Sequence, residues 1–249
     1  MLEHMRPLIF VFALLFGAQG AAAEIKVLAY GAVTNPAREL ASAFTKETGD
    51  TVMFTFGSPG PVNARLDAGE AFDLVIAATE AAKAREALWK PGTRRPLVRV
   101  GIGLAVRDGA RIDLSTVAST RNALLSARSL TLSDSRTGGG LSGPNALKVL
   151  ANLGIADQVK ERLKPTTDGQ ERIASGEIEM GLYNVSEIPR AKGVVLAGPV
   201  PAAVQVYIVY DAIVPVTNTN PDAALAFLRY LGRHAARAVW SQGGLELAQ

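Results

Sequence analysis

Cysteine is absent from the 249-residue chain, and histidine occurs only at His4 and His234. Without thiols the chain has no disulfide framework, no thiolate metal site and no cysteine nucleophile. His234 is predicted to lie in a late helix, away from every glycine-rich loop, so a Ser/His/Asp triad has no suitable histidine. A zinc or copper site would need clustered carboxylates, and no Asp or Glu cluster has that spacing. We therefore expect neither catalysis nor a metal or other cofactor.

A dense block of basic residues is also missing. The 26 Lys and Arg residues nearly balance the 23 Asp and Glu residues, which gives a net charge of +3. Proteins that neutralise a phosphate backbone cluster their cations, so nucleic acid is excluded as a partner. With 48% hydrophobic and 20% charged residues, the composition is typical of a globular protein.

Long hydrophobic runs are lacking too. The apolar run at residues 8–16 has about half of the ~20 residues that a membrane span requires. A basic start precedes it and small residues ending at Ala23 follow it, which is typical of a secretory signal peptide over residues 1–23. A membrane anchor is the alternative. We expect cleavage after Ala23 and a mature, periplasmic protein that begins at Glu24.

Strand and helix patterns alternate along the first half of the mature chain. A β-rich run at residues 25–29 is followed by Asn35 and Pro36, which suit the N-cap and first position of a helix. Gly49 is expected to end that helix, and residues 51–56 form the next strand, parallel to the first. This pattern predicts a βαβ unit and an α/β fold.

The later segments complete the predicted architecture. Residues 73–78 are almost wholly apolar, as expected for a strand buried on both faces, and residues 79–89 continue as a helix. Long β-rich runs at residues 97–106 and 204–210 connect this unit to a second α/β unit. We predict two lobes, one of residues 24–104 with 205–249 and the other of residues 105–204, which form a hinged clamp around a ligand.

Five loops are expected to face the cleft between these lobes, because ligands of open α/β sheets bind at the carboxyl ends of strands. They are rich in Gly, Ser, Thr and Asn and cover residues 29–35, 56–61, 77–79, 134–142 and 183–186. Amide groups at helix starts carry partial positive charge, so such loops favour an anion.

Several residues in these loops have a second interpretation. Gly138, Gly139 and Gly140 either bind an anion or only form a tight turn, and they lack the Lys-Ser/Thr ending of a nucleotide-binding loop. Thr34 and Asn35 either contact the ligand or cap a helix.

Three larger side chains are also candidate ligand contacts. Arg65 and Arg136 are placed either to hold a carboxylate in a bidentate pair or to remain solvated at the surface. Tyr183 either donates its phenol in the cleft or packs inside the sheet.

Taken together, the leader and the loops resemble those of periplasmic molybdate-binding proteins, which are type II solute-binding proteins of ABC importers. The similarity extends over essentially the whole mature chain. It is carried by Ile25-Lys26-Val27-Leu28-Ala29, Val33-Thr34-Asn35-Pro36, Phe56-Gly57-Ser58, Asp73-Leu74-Val75-Ile76-Ala77-Ala78 and the glycine-rich loop. The resemblance implies a two-lobed α/β fold with a mixed sheet in each lobe and a hinge of crossing strands.

The resemblance also implies site residues, because this family holds an oxyanion with hydroxyls and backbone amides. Ala32 stands where the family has its first serine, Ser58 matches the second with Pro59 beside it, and Ala78 falls at a contributing amide. Gln170 aligns with a helix start, and the family tyrosine falls on Asn184, with Tyr183 one residue away.

The sequence therefore predicts a monomeric, non-catalytic receptor that binds a small molybdate-like oxyanion and delivers it to an inner-membrane ABC permease. Because Ala32 lacks a hydroxyl and the arginines suit a planar carboxylate, an organic di- or tricarboxylate is the alternative ligand. A sensory or enzymatic use of the same clamp is the alternative function.

Overall fold

The computed structural model describes residues 22–138, 140–188 and 192–248, so the predicted signal peptide lies almost wholly outside the described residues. The strands are β1 (Glu24–Tyr30), β2 (Thr51–Gly57), β3 (Leu74–Ala78), β4 (Arg95–Val100), β5 (Ile102–Arg107), β6 (Leu130–Leu132), β7 (Met180–Asn184), β8 (Val194–Pro199), β9 (Ile208–Ile213) and β10 (Glu246–Leu247). The α-helices are α1 (Thr34–Thr48), α2 (Pro59–Asp67), α3 (Thr79–Lys83), α4 (Val117–Ser126), α5 (Ser135–Gly138), α6 (Ser142–Asn152), α7 (Ala156–Val159), α8 (Gly169–Ser175), α9 (Pro221–Gly232) and α10 (Arg237–Gln242).

These strands form two mixed sheets, as predicted. The six-stranded sheet has the order β10-β4-β9-β3-β1-β2, and the four-stranded sheet has the order β6-β7-β5-β8. β1 pairs in parallel with β2 and β3, whereas β9 runs antiparallel between β3 and β4. The predicted βαβ unit is thereby confirmed. Its parallel strands all end at one edge of the sheet, where α1, α2 and α3 begin.

The start of α1 differs from the prediction. A 3-10 turn at Gly31–Val33 precedes the helix, and Val33, not Asn35, occupies the N-cap. The Thr34 hydroxyl donates to the carbonyl of Gly31 at 2.7 Å, which tightens this turn. Pro36 then falls at the third helical position, which is tolerated because the first backbone N–H groups have no partner within the helix.

The predicted helix over residues 79–89 is also interrupted. α3 ends at Lys83, and a 3-10 turn at Glu86–Leu88 follows. The indole of Trp89 donates to the carbonyl of Ala82 at 2.8 Å, and its ring is buried. Burial of this large ring turns the chain back towards the core, which a continuous helix would prevent.

The two sheets exchange strands at a hinge. The β-rich run at residues 97–106 breaks at Gly101, so that β4 lies in one sheet and β5 in the other. The predicted strand at residues 204–210 begins only at Ile208, because the residues before it cross between the sheets. The residue limits of the two lobes stay a prediction; in the structure the second sheet begins with Ile102.

The Gln205 side chain holds this hinge together. Its Oε1 accepts from the backbone N–H of Ile102 at 2.7 Å and of Val206 at 3.0 Å. Its Nε2 donates to the carbonyls of Ile102 at 2.9 Å and Val200 at 3.2 Å. A Cβ at Gly101 would lie only 2.7 Å from this amide, so glycine permits the close approach.

Each lobe has its own apolar core. In the first, the Phe44 ring lies 5.0 Å from that of Phe227 and 5.1 Å from that of Tyr230. Buried Asp73 links three segments there, since it accepts from the backbone N–H groups of Lys26 at 2.9 Å and Thr219 at 3.1 Å. Within the described residues, no helix combines the length and the apolar character that a membrane span needs.

Candidate ligand-binding cleft

Two adjoining cavities lie between the carboxyl edge of the first sheet and the loops of the second lobe. The small cavity has a volume of about 260 Å³ and the large cavity about 560 Å³, and they share Tyr30, Pro59 and Leu141. The small cavity is lined by Tyr30, Gly31, Ala32, Gly57, Ser58, Pro59, Gly140, Leu141, Asn184, Glu187 and Tyr210. Both lobes thus contribute to one cleft.

The first lobe supplies hydrogen-bond donors to the small cavity. Ser58 is the N-cap of α2, yet its side chain makes no capping bond. An N-cap oxygen normally accepts from the backbone N–H of the second or third helical residue. In α2 these residues are Gly60 and Pro61, and a proline has no N–H. The exposed Ser58 hydroxyl makes no hydrogen bond to the described residues, so it is available to a ligand.

The second lobe supplies acceptors. Asn184, at the end of β7, is 1% exposed and donates its Nδ2 to Oε1 of Glu187 at 2.8 Å. Its Oδ1 is buried and has no hydrogen-bond partner among the described residues. An unpaired buried acceptor costs about 1–3 kcal/mol. A ligand hydroxyl or a water molecule that donates to this oxygen would remove that cost.

Two tyrosines form a rigid wall next to these groups. The rings of Tyr30 and Tyr210 meet edge to face with centroids 6.2 Å apart. The Tyr30 hydroxyl donates to Oδ1 of Asn63 at 2.9 Å, and burial raises the pKa of this phenol. Tyr30 therefore remains neutral and fixed in orientation at physiological pH.

The structure brings six of the predicted site residues to the cleft. The small cavity contains Ala32, Ser58, Pro59, Gly140 and Asn184. Ala78 lines the large cavity together with Pro59.

The two predicted arginines lie elsewhere and are already paired. Arg65 forms an ion pair with Glu70 and stands 5.4 Å from the ring centre of Phe72, at the end of α2 remote from the cavities. Arg136 is mostly exposed and pairs with Asp134 at 2.9 Å. Neither arginine lines either of these two cavities, and of their two interpretations the structure favours surface ion pairs.

Thr34, Asn35 and Gln170 also lie away from the walls of both cavities. The Thr34 hydroxyl is bonded to Gly31, Asn35 is exposed on α1, and Gln170 is in α8 with its Oε1 buried and without a partner among the described residues. Gly138 ends α5, and Gly139 lies outside the described residues.

The Tyr183 side chain points away from the cleft that Asn184 lines, because successive side chains of a strand point to opposite faces. Its hydroxyl lies against Gly169 and Thr131 inside the second lobe, and neither cavity includes it. Burial raises the pKa of this phenol to about 12. Packing is therefore the better description of Tyr183.

Six residues of the small cavity were not predicted individually as ligand contacts, although the first four lie in loops that were predicted to face the cleft: Tyr30, Gly31, Gly57, Leu141, Glu187 and Tyr210. The strand ends at Tyr30 and Gly57 could have indicated the first three, since those loops were expected to face the cleft. Nothing in the local sequence indicates Glu187, an acid in a site predicted to attract anions. Within the described part of the chain, no group of three or more His, Asp or Glu residues is placed to hold a metal ion.

Comparison with known proteins agrees with this geometry. The chain is 28% identical over 236 residues to an aconitate isomerase of Pseudomonas sp, covering 88% of this chain and 86% of the relative. It is 26% identical to the molybdate-binding protein ModA of Azotobacter vinelandii, covering 89% and 90%.

Solved structures show the same two-lobed fold. The periplasmic molybdate-binding protein of Azotobacter vinelandii matches with a TM-score of 0.70 at 24% identity, covering 90% of this chain and 100% of that chain. The sulfate-binding protein SubI of Mycobacterium tuberculosis matches with a TM-score of 0.65 at 20% identity, covering 90% and 86%. The predicted fold class and resemblance are confirmed. The sequence profile of the bacterial extracellular solute-binding protein family matches residues 25–246, so the chain belongs to this family.

Proposed function

We propose that this protein is the periplasmic, monomeric receptor of an ABC importer, which binds a small anion in the cleft and delivers it to a membrane permease. The observation that carries the proposal is the small cavity at the start of α2, where the Ser58 hydroxyl has no partner among the described residues. Membership of a solute-binding family supports the receptor role.

The physical basis is the field of the helix termini. The 3-10 turn at Gly31–Val33 leads into α1, and α2 begins at Pro59, so the positive ends of both helices meet the small cavity. Each helix start is equivalent to about half a positive charge and presents N–H groups without partners in the helix. An anion gains from both effects without an ion pair.

Two classes of anion are candidates. A molybdate-like oxyanion is supported by the relatives named as molybdate-binding proteins. An organic di- or tricarboxylate is supported by the relative named as an aconitate isomerase, and by Ala32, which offers no hydroxyl to an oxyanion. The paired Arg65 and Arg136 give no support to the carboxylate.

We also propose that the protein does not catalyse a reaction. The isomerase name of one relative makes turnover the alternative, and a simple experiment separates the two. Each bound carboxylate is incubated with the protein in D2O and followed by proton NMR. Recovery of unchanged, undeuterated ligand supports the receptor; isomerised or deuterated product would establish an enzyme.

Thermal unfolding with a panel of anions tests binding itself. The panel contains molybdate, tungstate, sulfate, phosphate and a series of carboxylates. A ligand at 100 times its Kd stabilises the native state by about 2.7 kcal/mol, which raises Tm by several degrees. The Ser58→Ala variant should bind at least fivefold more weakly, whereas Ser42→Ala, an exposed site on α1 outside both cavities, should bind normally. If no anion raises Tm, the proposed function is wrong.

A further inference from the structure

We infer that the large cavity is a second subsite, which receives the carbon skeleton and a second negatively charged group of an elongated organic acid, with Lys148 as the specificity-determining cation. This inference rests on the proposed function, because it identifies the class of anion that the same cleft takes.

Size is the first argument. A tetrahedral oxyanion has five non-hydrogen atoms, whereas the cleft continues from the small cavity of about 260 Å³ into the large one of about 560 Å³. The volume of the large cavity lies within the range of sites for small organic molecules, which is about 300–1,000 Å³. Tyr30, Pro59 and Leu141 line both cavities, so the two cavities adjoin and an elongated ligand could extend from one into the other.

The chemistry of the large cavity is the second argument. Its wall includes Ala78 and Ala81 from the first lobe, and Leu141 and Pro144 from the second. These groups stabilise a carbon chain by removing its apolar surface from water. An inorganic oxyanion gains nothing from them.

Lys148 is the third argument. Leu141, the N-cap of α6, and Pro144, Asn145 and Lys148 within α6 line the large cavity, at the spacing of one helix face. Among the described residues Lys148 makes no ion pair, and the nearly buried Asn145 makes no side-chain hydrogen bond. Glu80 lines the same cavity but is paired with Lys83 at 3.0 Å. An ammonium and an amide thus remain for a second carboxylate.

The small cavity supports the same class of ligand independently. The Oδ1 of Asn184 is a buried acceptor without a hydrogen-bond partner among the described residues. A fully deprotonated tetrahedral oxyanion has no donor for the Oδ1 of Asn184. A hydroxyl or protonated carboxyl on an organic acid supplies one.

Calorimetric titration of the purified protein with chain-length-matched acids tests the inference. The probes are succinate against butyrate and glutarate against valerate, with molybdate and sulfate as inorganic anions. The variants are Lys148→Gln and, as a matched control, Lys160→Gln, because Lys160 is exposed on the same lobe and lines neither cavity.

We expect the wild-type protein and Lys160→Gln to bind at least one diacid tenfold or more tightly than its matched monoacid. Lys148→Gln should lose that preference and keep its affinity for the monoacid and its unliganded Tm. Tenfold corresponds to about 1.4 kcal/mol.

Two results would overturn the inference while the receptor function stands: molybdate or sulfate binding more tightly than every diacid, or a diacid preference that Lys148→Gln does not change. Failure of every anion to bind would overturn the inference and the proposed function together.

Discussion

Replacement of Gln205 by leucine should loosen the hinge between the two lobes. Leucine keeps most of the volume of the side chain and removes all four of its hydrogen bonds to Ile102, Val200 and Val206. Since Gln205 lies in neither cavity of the cleft, the change tests the hinge separately from ligand binding.

The magnitude follows from the groups that lose their partners. Ile102 is fully buried, so its N–H would remain without an acceptor, at a cost of about 1–3 kcal/mol. Val206 is only partly buried, and water can replace part of its lost bond. We expect the free energy of unfolding to fall by about 2–3 kcal/mol, which lowers Tm by about 4–10 °C for a protein of this size.

Urea unfolding followed by circular dichroism measures this difference, with Gln158→Leu as the control. Gln158 is exposed on α7, and its side chain makes no hydrogen bond to the described residues. The control should change the free energy of unfolding by less than about 0.5 kcal/mol. A Gln205→Leu variant as stable as the control would refute the assignment of Gln205 as the clamp of the hinge.

Three further predictions concern the cores and the cleft. Phe44→Ala should cost about 3–5 kcal/mol in urea unfolding because it empties a buried aromatic cluster, whereas Met53→Ala, at an exposed site, should be nearly neutral; equal effects would contradict the packing described. Burial raises the pKa of Tyr183 from 10.0 to about 12, so the folded state holds this proton more tightly and the associated stability is present below pH 10 and lost as the pH rises to 12. Between pH 8 and pH 12, the free energy of unfolding measured in urea should fall by about 2–3 kcal/mol more in the wild-type protein than in Tyr183→Phe. If the two proteins lose stability equally over this pH range, the phenol is not desolvated. Asn184→Leu removes a buried unpaired acceptor, so the unliganded Tm should stay within a few degrees while the rise in Tm with a bound anion shrinks; an undiminished rise would exclude Asn184 from the site.

Local sequence patterns were sufficient to predict an element of secondary structure where the residues of that element alone determine it. The β-branched strand at residues 51–56 and the apolar strand at residues 73–78 were predicted correctly, because hydrophobic pattern and β propensity lie in the residues themselves. The helix over residues 79–89 was wrong because the burial of Trp89 depends on contacts that only the folded chain provides.

The sequence by itself determined the α/β alternation, the family and the strand ends at which the cleft lies, because helix periodicity, strand runs and turn residues are local properties. Tertiary structure alone decided which side chains reach the cleft. The position of β7 in the second sheet placed the Asn184 face of the strand towards the cleft and the Tyr183 face away from it, and nearby acids paired with Arg65 and Arg136. Lys148 reaches the cleft only because the hinge brings α6 opposite the carboxyl edge of the first sheet, and such long-range placement depends on how two separately folded cores are joined.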